Sequence, residues 1–383
     1  MLMHRLPVTL LFLLSLTLTA AAEQAVLLFP GEEEDPRRAA RVTHELHQEN
    51  AALTAPSANG WLSKVTLPPH VEITRLPKPA ENGEYVAISP HYLITCPLRL
   101  EDAALHRVVD VMEATYAANS AVASQLPVLR MQQQPKKLLK MHIRLVPTAE
   151  DYQKNGGVPG SAGVYQSSRL VYPDSGVLPD DQPCTEETLK RDTVLVAFPA
   201  MGLKADGTLS HEPVNTQLLV HEGTHQCFIY NNLPIWANEG WAEYLSAAPH
   251  TDGCVDFEKG FSLISARARR SASAGRLECP FSLHDFFTMS KERMYAMGLH
   301  SVTSVDTYAL SAMVVAFFLH MDGERGLTAM REYLQARIKC LPQDQSLAVL
   351  SAPYGGLQEL QKAFVGAWQS RHIHLTLQEN ITK

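Results

Sequence analysis

Two short segments of this chain carry residues whose types and spacing suit metal-assisted hydrolysis. The first, Leu218-Leu219-Val220-His221-Glu222-Gly223-Thr224-His225, contains HExxH. On a helix, positions i and i+4 share a face, so His221 and His225 can hold one ion between them. Glu222 lies one step round from His221, within reach of a proton on a metal-activated water. The pattern is short enough to arise by chance in a chain with 16 histidines, so its surroundings matter. The second segment, Asn238-Glu239-Gly240-Trp241-Ala242-Glu243-Tyr244, follows a turn at Asn231-Asn232-Leu233-Pro234. A helix, a turn and a second helix can bring Glu239 back over the two histidines. His221, His225 and Glu239 then form the three-ligand set of a catalytic zinc site, with the fourth position open to water. One Zn²⁺ per chain is the expected cofactor, because the ligands are imidazole and carboxylate. Glu243 lies one helical turn beyond Glu239 and can accept the second ring N–H of a ligand histidine. Charged helix faces in solvent would explain either segment alone, but explain the pair poorly.

HExxH followed by these residues resembles the gluzincin group of zinc metallopeptidases, the thermolysin-like and aminopeptidase-like clan. The resemblance implies His221, His225 and Glu239 as ligands, Glu222 as general base and Glu243 as support for a ligand histidine. The interval from His225 to Glu239 is shorter than in thermolysin-like enzymes. It is similar to that of exported, largely uncharacterised bacterial proteins with P-x-W-x-x-E-G-x-A-E-Y after the HExxH helix. Here that pattern reads Pro234-Ile235-Trp236-Ala237-Asn238-Glu239-Gly240-Trp241-Ala242-Glu243-Tyr244. The motif match covers residues 218–245, with weaker similarity over residues 87–370.

The zinc aminopeptidases of the clan also place a tyrosine at the start of an apolar helix, where its phenol stabilises an oxyanion. Thr307-Tyr308-Ala309-Leu310-Ser311-Ala312 resembles that arrangement and makes Tyr308 a catalytic candidate; a half-buried helix aromatic is the plain alternative. His300 is a lesser candidate for the same role. The aminopeptidase strand that grips the substrate amino terminus carries an acid, and Thr193 to Gly202 contains none. That weakens the exopeptidase reading and favours an endopeptidase or an unfamiliar substrate. Cys227 follows His225 by two residues and so points away from the zinc face, as a core or disulfide cysteine. Arg267, Arg269, Arg270 and Arg276 read as a solvated loop, or else as the border of a cleft that prefers acidic substrates.

The elements that would position these residues follow from the rest of the chain. It has 383 residues, 45% of them hydrophobic and 19% charged, enough for a packed core and unlike a disordered protein. A net charge of −7 argues against nucleic acid as a partner. A basic start, an apolar run from Leu6 to Leu18 and Ala20-Ala21-Ala22 read as a secretory signal peptide over residues 1–22. The mature protein is expected to be secreted or periplasmic, with no stable membrane span and a peptide or protein substrate. Oxidising surroundings would permit up to three disulfides among the six cysteines, with Cys254–Cys279 the suggested pair.

Residues 23–85 read as an N-terminal helix from Asp35-Pro36 and a proline-rich linker from Leu67 to Pro79, possible material for an inhibitory segment. Residues 86–210 read as an α/β subdomain. Its strands are expected at Tyr92 to Cys96, Met141 to Val146, Ala162 to Tyr172 and Thr193 to Phe198, with a helix from Glu101 to Ala123. Residues 211–383 read as an almost wholly helical catalytic and C-terminal subdomain. The fold class is therefore α+β: a strand-rich half with a mixed sheet, a mainly helical half, and the zinc site between them. A strand at the sheet edge is expected beside the cleft, where an extended peptide could pair its backbone. Two other functions use the same residues: a non-catalytic zinc- or peptide-binding protein of peptidase fold, and a zinc amidase acting on cell-wall material.

Overall fold

Alternation of apolar residues in Met141–Val146 and the apolar run Thr193–Ala197 make strands buried on both faces, and such strands need a helical cover. A computed structural model of the chain describes residues 54–56, 60–67, 71–129, 131, 140–166, 192–210, 216–228, 231, 233–251, 253–272, 276–299 and 306–378. The signal-like segment, the helix expected after Asp35, His300 and Cys184 lie outside the described residues. So does the C-terminal part of the strand expected at Ala162 to Tyr172.

The fold is α+β. Its main sheet has six strands in the order β3-β4-β5-β6-β8-β7, with ranges β3 (Thr74–Arg75), β4 (Tyr85–Ile88), β5 (Tyr92–Cys96), β6 (Met141–Val146), β7 (Gly163–Gln166) and β8 (Thr193–Ala197). The central strands β5, β6 and β8 are parallel, while β3, β4 and β7 run antiparallel to their neighbours, so the sheet is mixed. Parallel β5 and β6 require a long crossover, supplied by helix α1 (Asp102–Gln125). Ile143, Leu145, Val194 and Val196 face the main core, and Val146, Leu195 and Ala197 face a small second cluster with Tyr152. Tyr152 belongs to the short helix α2 (Ala149–Lys154).

Beyond the sheet come α3 (Thr216–Phe228), α4 (Ile235–Ala247), α5 (Phe257–Ser271), α6 (Leu283–Phe287), α7 (Lys291–Leu299), α8 (Thr307–Ala316), α9 (Gly323–Ile338), α10 (Gln343–Ser351) and α11 (Leu357–Gln369). Helix α8 runs directly into a π-helical turn, Phe317–Met321. One continuous apolar core joins the sheet to these helices. Among the described residues no helix is long and apolar enough to cross a membrane.

Three sequence-based expectations need correction. The helical half also contains strands. β9 (His250–Thr251) and β10 (Cys254–Asp256) form a sheet with β1 (Thr54–Pro56) and β2 (Leu62–Thr66), and β11 (Arg276–Cys279) pairs in parallel with β12 (His374–Leu377). Residues around the proline-rich stretch are built into the fold: β3 lies within it, and β2 just before it pairs with β10. Trp61 Nε1 donates to Tyr244 Oη at 2.7 Å, and the Tyr244 hydroxyl lies 2.8 Å from Nε2 of His320. The suggested disulfide is absent. Cys96, Cys227, Cys279 and Cys340 are free thiols, and Cys254 and Cys279 lie in different sheets.

Candidate metal centre and cleft

Helix α3 carries HExxH and packs directly on α1. A Cβ at Gly223 would stand 3.0 Å from Met112 Cε and 3.1 Å from Thr115 Cγ2, so the glycine permits the close approach. The side-chain amide of Gln226 donates to the carbonyls of His142 at 3.1 Å and Asp192 at 3.2 Å, tying α3 to the sheet at β6 and beside β8. Helix α4 starts after Pro234, whose carbonyl accepts from Ala237 N at 3.0 Å and Asn238 N at 2.9 Å. Buried Trp236 packs on Phe287 and Tyr333, and Trp241 on Phe228, which fixes the rotation of α4. The other face of α4 meets α8, where a Cβ on Gly240 would come 2.8 Å from the Ser311 carbonyl oxygen.

These contacts bring the three expected ligands together. His221 Nε2 lies 3.1 Å from His225 Nε2 and 3.2 Å from Glu239 Oε2, and His225 Nε2 lies 3.4 Å from the same oxygen. They form the one such cluster of possible metal ligands among the described residues. His221 Nδ1 faces Glu243 Oε1 at 3.1 Å, so that nitrogen keeps a proton and Nε2 is the one turned toward His225 and Glu239. Lone pairs at this separation repel unless a cation or a proton sits among them. Two ligand atoms about 2.05 Å from an ion at the tetrahedral angle stand about 3.3 Å apart. The observed triangle matches that spacing, so these residues could hold a four-coordinate divalent ion.

The electrostatics agree. Burial opposes a charged imidazole at His221, yet the hydrogen bonds it donates to Glu239 and Glu243, with the charges of Glu222 and Glu243, hold its pKa well above the ordinary value. A proton therefore occupies Nε2 where a cation would otherwise sit. Burial would likewise raise Glu239, but the charges and hydrogen bonds of His225 and His221 hold it well below the carboxylate range. The pocket favours positive charge at its centre.

The other predicted residues also converge. Glu222 Oε2 accepts the backbone N–H of Tyr165 at 2.6 Å, leaving its second oxygen for another partner. Tyr165 lies on β7, the edge strand, so that strand stands beside the site as expected. Tyr308 lines the same cleft, its ring 6.4 Å from that of His221. Burial, then the charges of Glu239, Glu243 and Glu222, push its phenol pKa well up, so it stays a donor. Cys227 is buried in the core; burial pushes its thiol up to about 12, and it is not among the ligands. The basic run is not a loop: Arg267, Arg269 and Arg270 belong to α5, and Arg276 opens β11.

Three participants are absent from the motif. Tyr295, on α7, donates to Glu239 Oε1 at 3.2 Å and stacks on Tyr308 with ring centroids 6.3 Å apart. Arg267 bonds Glu243 Oε2 and also reaches Asp306 Oδ2 from Nη2 at 2.7 Å and from Nε at 3.1 Å. Asp306 in turn caps α8, accepting from Ala309 N at 3.0 Å. A basic run was the only sequence signal for Arg267, and nothing local marks Tyr295 or Asp306. The cleft has a volume of about 590 Å³ and is walled by α3, α5, α8 and the start of β7. Compared with known proteins, the chain matches no family model and no curated protein sequence.

Proposed function

We propose that this chain is an exported zinc-dependent metallopeptidase of gluzincin type that cleaves peptide bonds within a chain. The observation that carries the reading is the triangle of His221, His225 and Glu239, with Glu222 beside it at the floor of an open cleft. A dication held there would supply Lewis acidity, activating water and polarising a carbonyl. Glu222 is oriented by the Tyr165 N–H, takes the proton of the attacking water through its second oxygen, and passes it to the departing amine. Tyr308 donates its phenolic hydrogen to the carbonyl oxygen as that atom gains charge. Glu243 keeps the His221 ring in the tautomer that presents Nε2. An extended substrate lies along β7, whose outer edge has no strand neighbour among the described residues.

The test combines metal content with hydrolysis. Purified protein should contain about one zinc per chain, and His221→Ala or Glu239→Ala should lose it. Glu222→Gln should keep the zinc while peptide turnover falls at least about a hundredfold. Undiminished turnover in Glu222→Gln would remove the base from the mechanism. Full zinc occupancy in either ligand variant would refute the ligand set.

A further inference from the structure

One wall of the cleft is a face of α5, built from Leu263, Ile264, Arg267 and Arg270 at positions i, i+1, i+4 and i+7. The charged groups deeper in the cleft are already engaged. Glu239 faces two histidines and Tyr295, and Glu243 faces His221 and Arg267. Glu222 accepts the Tyr165 N–H, and Asp306 faces Arg267 and the first turn of α8. Arg267 spends Nη1 on Glu243, and Nε and Nη2 on Asp306, so its guanidinium fork is committed. Arg270 differs. It lines the same cleft, its side chain is exposed, and among the described residues no carboxylate pairs with it. Beside it Leu263, 39% exposed, is one of the few large aliphatic side chains left open to solvent among the described residues, and it too lines the cleft.

We propose that this cleft selects extended peptides bearing an aspartate or glutamate side chain, with Arg270 as the residue that recognises the carboxylate. This rests on the peptide-cleaving reading of the same cleft. A guanidinium presents two parallel donors that match the two oxygens of a carboxylate. The aliphatic face of Leu263, Ile264 and Leu218 receives the neighbouring apolar atoms of the peptide and shields that contact from water. A basic side chain at the same subsite would meet Arg270 and be disfavoured, so the preference has a repulsive as well as an attractive part.

The probe is a decapeptide library carrying glutamate, glutamine or lysine at one position at a time. It is read by retention on immobilised, zinc-loaded Glu222→Gln protein and by cleavage with the wild type. Glutamate should exceed glutamine about fivefold at one subsite in the retained pool, as fits one partly solvated charge-assisted contact. The ratio should fall to about one with Arg270→Ser, shift toward lysine with Arg270→Glu, and shrink in high salt. Being a ratio within one protein sample, it is unaffected by small differences in folding or zinc content between variants. Equal retention of glutamate and glutamine by a protein that cleaves peptides would overturn the selection and leave the peptidase reading standing. An enrichment that survives Arg270→Ser would overturn the role of Arg270. Acidic peptides that are retained but never cut by the wild type would support the selection and overturn the peptidase reading. A library neither retained nor cut would overturn both.

Discussion

Glu239 shows how one carboxylate can serve two demands. One oxygen faces the two histidine nitrogens, and the other accepts from Tyr295, which discourages the carboxylate from turning to offer both oxygens to an ion. Partners of this outer kind usually change metal affinity tenfold to a hundredfold when removed. Tyr295→Phe is therefore expected to weaken zinc binding about tenfold while the fold persists, measured by competition with a chromophoric chelator. Unchanged affinity would mean that Glu243 and the packing of α4 orient the ligands without help. The ring of Tyr295 also stacks on Tyr308, and phenylalanine keeps that ring, so turnover of the metal-saturated variant should stay close to that of the wild type.

The two motif helices meet their neighbours through glycines, and this is where the ligand distances are set. Gly240 follows Glu239 directly and lets α4 approach the α8 backbone; a methyl there would sit 2.8 Å from the Ser311 oxygen and 2.9 Å from Val315 Cγ2. A backbone carbonyl cannot swing aside, so α4 and α8 must separate. Gly240→Ala should cost about 1–3 kcal/mol of stability despite its better helix propensity. Zinc affinity should fall with it, because Glu239 moves with α4. The checks are the midpoint of urea unfolding, with unchanged dependence on denaturant, and a zinc titration. A stabilised variant would show that the two helices have room to spare.

Much of this architecture is legible from local pattern. Strands Tyr92–Cys96 and Met141–Val146 are found where alternation and flanking turns placed them, and the long helix after Glu101 differs by only a residue or two. His221, His225 and Glu243 were readable because i, i+4 spacing is a property of any helix. Strands β9 to β12 were not readable. They are two to four residues long, too short for alternation to register; β10 pairs with distant β2 and β11 with distant β12, while β9 only closes a hairpin with neighbouring β10. The Cys254–Cys279 pairing failed for a related reason: closeness along the chain says little about which sheet each residue joins.

Taken as a whole, the molecule encloses several imidazoles that must stay neutral. Burial, with a smaller contribution from Arg144, brings His142 down to about 4, and its ring nitrogens contact Thr95 and Thr193 hydroxyls at 2.9 Å. Burial, then Arg371, does the same to His320, and burial alone to His250, each to about 4. Between about pH 6.5 and pH 4 the unfolded chain takes up protons at these positions and the folded chain does not. Stability therefore falls as pH falls through that window, by at most about 1.4 kcal/mol per pH unit for each group. His142→Gln should flatten the decline by one such share, read from unfolding midpoints at pH 7, 6 and 5. A decline as steep as in the wild type would assign the loss to other groups.

The order of residues along the chain was enough to specify the donor set, its helical spacing and the division into a sheet-bearing and a helical half. The spacing within each motif depends on residues a few positions apart, where helix and strand periodicity fixes geometry in advance, while Glu239 meets the histidines only because α4 packs on α3. Folding in three dimensions settled what surrounds that donor set. The Tyr165 amide reaches Glu222 across 57 positions, Tyr295 reaches Glu239 across 56, and Arg267 reaches Asp306 across 39. Contacts at such separations are selected by how helices and sheet pack, with each helix rotated by buried tryptophans and spaced by glycines. No local period encodes them.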